Sequence, residues 1–160
     1  MDGPKDRLKL VSGGQTGVDR AALDVAILLG LPHGGWCPKG RRSEDGRIPD
    51  HYQLSELGSP RFADRTRRNV LDSDATLILA WGPLTRGTKL THQHAEELGR
   101  PLRVVQLQLG EPTSETLAWL DRVRPRTLNV AGPRGSAHAD LYGAAYEFLE
   151  VVLRHWQENI

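Results

Sequence analysis

Glycines at positions 13, 14 and 17 lie between a short apolar run and an amphipathic helix pattern, and they are the residues of this chain best placed to meet a ligand. Glycine admits positive φ and leaves no Cβ between the backbone and an approaching group. The first amides of the helix that follows have no partner within it. An anion fits such a turn. Within it, Thr16 is expected to cap the helix while Asp19 bonds back to the cap amide. Asp19, beside Gln15, is equally placed to meet a ligand hydroxyl. The stretch is not a Walker A sequence, which needs Gly-Lys-Ser/Thr after the loop, and not a GxGxxG fingerprint, because Gly13 and Gly14 are adjacent. On its own it fits an ordinary strand-to-helix turn equally well.

The arrangement recurs. Gly82-Pro83-Leu84-Thr85-Arg86-Gly87-Thr88 follows a second apolar run, and Gly132-Pro133-Arg134-Gly135-Ser136 follows a third, with Ser136 placed to cap the last helix. Residues 38–49 form a long loop in which Lys39, Arg41, Arg42 and Arg47 stand against Glu44 and Asp45. Loops of that length in compact domains are usually functional or disordered. Lys39, Arg41 and Arg42 are expected to face the ligand crevice, the alternative being a solvated loop held by internal ion pairs. Three turns and these cations together describe a pocket for a phosphorylated small molecule. Its expected contacts are Gly13, Gly14, Gln15, Thr16, Gly17, Asp19, Lys39, Arg41, Arg42, Gly87, Thr88, Gly132, Pro133, Arg134 and Ser136.

Other chemistry finds little support. GxSxG is absent, and Cys37 sits in an apolar stretch where it reads as a small core residue. His92 and His94 are two apart on a helix pattern and face different ways, so no metal-ligand set is expected. The four tryptophans are dispersed rather than aligned as a stacking row. No catalytic residue is assigned, and binding without turnover is expected. General acid–base work would fall to isolated acids such as Asp19 or Asp74.

The elements that position these turns alternate. Apolar runs at residues 8–12, 34–37, 75–81, 102–107 and 127–131 read as strands, and helices are expected between them. The run at 75–81 is continuous, as in a strand buried on both faces. Right-handed crossovers then give an α/β domain with a doubly wound, mainly parallel sheet and helices on both faces. The expected strand order is 2-1-3-4-5, which puts the crevice between the first and central strands. At 160 residues the chain is one domain, over residues 8–160, with residues 1–7 a disordered lead-in. The total of 21 Lys and Arg against 20 Asp and Glu points to no nucleic-acid partner. A lone cysteine, no leader pattern and no apolar stretch long enough for a bilayer suggest a cytoplasmic protein without a membrane partner.

Four stretches carry a resemblance: residues 12–24, residues 37–46, Arg65-Thr66 with Asn69-Val70 and Ser73-Asp74, and Asn129-Val130-Ala131-Gly132-Pro133-Arg134 with Ser136. Together they resemble the molybdenum cofactor carrier proteins, which are similar in fold to the Rossmann-like group holding the LOG phosphoribohydrolases and DprA. The resemblance implies a non-catalytic homo-oligomer, dimer or tetramer, that holds and protects molybdenum cofactor, a phosphorylated pterin dithiolene with an oxomolybdenum centre. It implies binding by residues 13–17, 39–42, 87–88 and 132–136. Two departures stand out: Arg86-Gly87-Thr88 replaces the family's more frequent Gly-Gly-Thr, and Thr91-His92 stands where the LOG enzymes' PGGxGTxxE signature has its glutamate. A nucleotide-binding or nucleotide-hydrolysing protein would use the same turns and is the alternative.

Overall fold

The computed structural model describes residues 7–159. The expected lead-in lies outside the described residues except for Arg7, whose guanidinium donates to the Gly30 carbonyl. In chain order, the first strands are β1 (Lys9–Val11), β2 (His33–Gly34), β3 (Trp36–Cys37), β4 (Arg42–Ser43), β5 (Gly46–Arg47) and β6 (Ser55–Glu56). Longer strands follow as β7 (Ala75–Ala80), β8 (Leu102–Gln106) and β9 (Thr127–Ala131). The helices are α1 (Val18–Leu29), α2 (Phe62–Leu71), α3 (Arg86–Glu97), α4 (Thr113–Val123) and α5 (Leu141–Glu158).

Five strands form a parallel sheet in the order β2-β1-β9-β7-β8. Helices α1, α4 and α5 pack together on one face, and α2 packs with α3 on the other. Alternation along β7 serves both layers: Ala75, Leu77 and Leu79 join the core with α1 and α5, while Thr76, Ile78 and Ala80, also buried, point away from it. The expected α/β architecture is therefore present, but the expected order 2-1-3-4-5 is not. The last strand inserts between the first and the central one. Burial explains the choice: Leu128, Asn129 and Val130 are all buried, as an interior strand requires, whereas β8 buries Val105 alone and carries Arg103 and Gln106 to the edge.

Counted from β9, the order becomes 3-2-1-4-5, the usual doubly wound arrangement begun one strand–helix unit late. The reversal of winding then falls between β9 and β7. Arg7 and Gln157 both bond to the end of α1, at Gly30 and Leu29, so the two ends of the described chain lie side by side. A rearranged chain with new ends between Arg124 and Pro125, and residue 159 joined to residue 7 by a short Gly/Ser linker, is expected to fold with a loss of no more than about 2 kcal/mol. Circular dichroism and urea unfolding check it; an unfolded product would contradict this reading of the topology.

Several local expectations change. Helix α1 begins at Val18 with Gly17 as its cap, and no side chain caps it, so Thr16 is not the N-cap. Asp19 does bond back, but to the Gln15 amide (3.2 Å). Ser136 lies in a one-turn 3₁₀ segment (Gly135–Ala137) and does not cap α5, which starts at Leu141 after Asp140. The expected strand at 34–37 divides into β2, in the main sheet, and β3, which pairs with β6 apart from it.

Candidate functional site

The carboxyl ends of β1, β9 and β7 open into a cavity of about 540 Å³. Of the residues expected there, Gly13, Gln15 and Asp19 line it from the first turn, Gly87 and Thr88 from the second, and Gly132, Pro133, Arg134 and Ser136 from the third. All three turns meet because β9 lies between β1 and β7. Gly14, Thr16, Gly17, Lys39, Arg41 and Arg42 are not among the lining residues.

Most of these have a physical reason to be elsewhere. A Cβ on Gly17 (φ +84°) would sit 2.6 Å from both the Pro133 oxygen and the Gly135 nitrogen. The third turn thus covers the start of α1, and the Val18 amide donates to the Pro133 carbonyl (3.4 Å). Arg41 is 7% exposed and spends its guanidinium on four carbonyls, those of Ile48 (3.1 Å), Pro49 (2.7 Å), Tyr52 (3.1 Å) and Leu54 (3.3 Å). It organises the loop from within. Arg42 lies over the Phe62 ring (5.5 Å), and Lys39 is exposed.

The helix start that does face the cavity is that of α3, through Thr85, Arg86, Gly87 and Thr88. Amides at the first positions of a helix have no partner inside it and carry its positive end. Arg86 adopts φ +48°, the left-handed region in which a non-glycine residue costs about 1 kcal/mol or more. The backbone therefore takes the conformation that a glycine would take freely, and the side chain adds a charge to the cavity wall.

The residue that sequence reasoning missed is Arg65 of α2. It is 8% exposed, donates from Nη1 to the Gly13 carbonyl (2.8 Å), and lies 3.7 Å from Asp19 Oδ2. A Cβ on Gly13 would stand 2.1 Å from that Nη1, so the first glycine of the turn makes room for Arg65. Asn69 is also buried, gripping Trp36 through its amide (2.7 Å to the Trp36 nitrogen, 3.0 Å to its oxygen). A signal was available: Phe62, Arg65, Thr66 and Asn69 recur at helical spacing with Val70, so they share the inward face. Among the lining residues Arg65, Arg86 and Arg134 supply three cations against the single carboxyl of Asp19, and Phe62 and Leu90 supply an apolar wall.

Burial pushes the Asp19 carboxyl up to about 6, against the pull of Arg65 and the Gln15 amide. Burial likewise lowers Arg65, with Asp19 opposing it. The folded state holds the Asp19 proton more tightly than the unfolded chain, whose ordinary value is 3.8. Stability from the protonated form is thus complete below about pH 4 and is lost as pH rises through about 6. Relative to the wild type, Asp19→Asn is expected to gain on the order of 2 kcal/mol between pH 4 and pH 7. Urea unfolding at the two pH values measures it, and an unchanging difference would mean that burial does not tune this carboxyl.

Cys37 is buried with Leu23, Ile48 and Tyr52, and burial raises its thiol, which suits a core residue. No cluster of three or more His, Cys, Asp or Glu among the described residues is placed to hold a metal ion, and no helix among them is long and apolar enough to cross a membrane.

A family model, described as the circularly permutated YpsA SLOG family, matches residues 10–153. No curated protein matches the chain. A solved structure from Syntrophus aciditrophicus SB, described as a "Putative molybdenum carrier protein", is 42% identical, with 93% of this chain and 96% of that one covered and a TM-score of 0.87. A sheet that reads 3-2-1-4-5 only when begun at its last strand is what a circular permutation leaves behind, and with the match over residues 10–153 it identifies the chain as a member of the circularly permuted YpsA SLOG family.

Proposed function

We propose that this protein is a carrier that binds molybdenum cofactor in the cavity at the ends of β1, β9 and β7. The observation that carries the reading is the cavity's excess of cations, Arg65, Arg86 and Arg134 against Asp19, beside the apolar wall of Phe62 and Leu90. A phosphorylated pterin with an anionic metal end needs both a broad basic surface and a place for a flat ring. Arg86, Gly87 and Thr88 would hold the phosphate at the start of α3, and Arg65 and Arg134 would face the remaining charge. The similarity to a structure described as a molybdenum carrier supports the same choice. The reading carries with it a cytoplasmic homo-oligomer. Anaerobic titration with the released cofactor, followed by tryptophan fluorescence, is expected to saturate at one equivalent per protomer; no saturation would contradict it.

One observation favours a second reading, a nucleotide hydrolase. Asp19 is a cavity carboxyl tuned to about 6, inside the range useful to a general base near neutral pH. The protein is incubated with nucleoside monophosphates and free base is followed by chromatography. The carrier reading expects no release. Steady release that vanishes in a folded Asp19→Asn variant would replace it.

A further inference from the structure

The hairpin of β4 and β5 carries Glu44 to the rim of the cavity. Its carboxylate accepts from the Ser136 amide (3.0 Å), the Ser136 hydroxyl (2.6 Å) and the Thr16 hydroxyl, with Arg134 Nε at 3.9 Å. Burial works against this charge, but the bonds from Ser136 and Thr16, together with Arg134, outweigh it and hold the carboxyl below its ordinary range. Two hydroxyls, an amide and a guanidinium, drawn from two different turns, are the donor set that a phosphoryl group would use. Arg134 and Ser136 also line the cavity itself. In the folded chain this cradle is filled by the protein's own anion.

The rest of the hairpin is fastened in a way that can be undone. The Glu44 amide donates to Gln15 Oε1 (2.9 Å), and Arg20 donates to both oxygens of Asp45 (2.6 and 2.8 Å). Residues 42–47 include no large apolar side chain, and all but Ser43 are exposed. Lifting the hairpin tip therefore exposes no core. It exchanges one set of charge-assisted bonds for another.

We propose that Glu44 occupies a second anion subsite, formed by Thr16, Arg134 and Ser136, and that the cavity takes ligands with two anionic groups, the second of which displaces Glu44 and lifts the hairpin. The inference rests on the anion-binding reading of the cavity given above. One anionic group goes to Arg86 and the start of α3. The other takes the place of the Glu44 carboxylate, so a ligand with a single anionic group leaves the strap closed.

Inorganic phosphate and pyrophosphate are the probes, titrated calorimetrically into the wild type and Glu44→Gln. The wild type is expected to bind one phosphate and Glu44→Gln two, with pyrophosphate about tenfold tighter in the variant, the scale of one charge-assisted bond no longer in competition. Hydrogen exchange on the wild type supplies a readout that needs no variant: pyrophosphate is expected to speed exchange of the Glu44 amide and protect that of Ser136. If Glu44→Gln binds one phosphate with unaltered pyrophosphate affinity, or if pyrophosphate slows exchange at Glu44, the displaceable strap is overturned and the cavity reading stands. If neither protein binds either anion, both are overturned.

Discussion

Arg65→Ala is expected to lose about 4 kcal/mol of stability at pH 8 and markedly less at pH 5. The reason is the company Arg65 keeps. Its side chain and that of Asp19 are 10% and 9% exposed, and removal of one member of a buried pair leaves the other charge uncompensated, a cost of about 3–5 kcal/mol. At pH 5 the variant's Asp19 carboxyl, already pushed up to about 6 in the wild type and deprived of its cation, is protonated and the penalty falls. Urea unfolding at the two pH values measures the effect. An equal loss at both would mean that Arg65 acts through packing on Phe62 and Gly13 rather than through its charge. The same variant is expected to lose anion binding at pH 5, where it remains folded.

Gly17→Ala is expected to cost about 3 kcal/mol or more, from two additive sources. A left-handed φ disfavours any side chain by about 1–2 kcal/mol, and the new Cβ meets backbone atoms of Pro133, Arg134 and Gly135 at 2.6–2.8 Å, none of which can rotate aside. The third turn would have to leave the start of α1. Gly87→Ala is the contrast, because a Cβ added there meets nothing within 4 Å, and its stability is expected to change by less than about 0.5 kcal/mol. Thermal melts of the two variants check the pair. Equal losses would show that the covering of α1 by the third turn contributes nothing.

The turns were legible because each is local: glycines, a preceding apolar run and a helix pattern follow one another closely along the chain. Strand order was not, because it depends on which strand tolerates burial on two faces. The difference between β9 and β8 rests on Arg103 and Gln106, which a run of apolar neighbours conceals. The destinations of Arg65 and Arg41 were not legible for one shared reason. Arg41 is expected at the ligand and Arg65 is given no partner, whereas here Gly13, Asp19 and four loop carbonyls, up to 52 residues away, receive the guanidiniums. Thr16 and Ser136 have the residue types of helix caps, but the partner that claims them is Glu44, 28 and 92 positions distant. Local propensity set the elements, and long-range polar contacts decided what the turns do.

Carriage of molybdenum cofactor is tested most directly by native mass spectrometry, with metal analysis, of protein purified anaerobically without added ligand from cells that make the cofactor. The account predicts a bound mass of phosphorylated pterin and up to one molybdenum per protomer, both absent from Arg86→Gly, in which the backbone conformation is kept and the cavity charge is removed. A bound nucleotide without molybdenum, or cofactor retained equally by that variant, would contradict it.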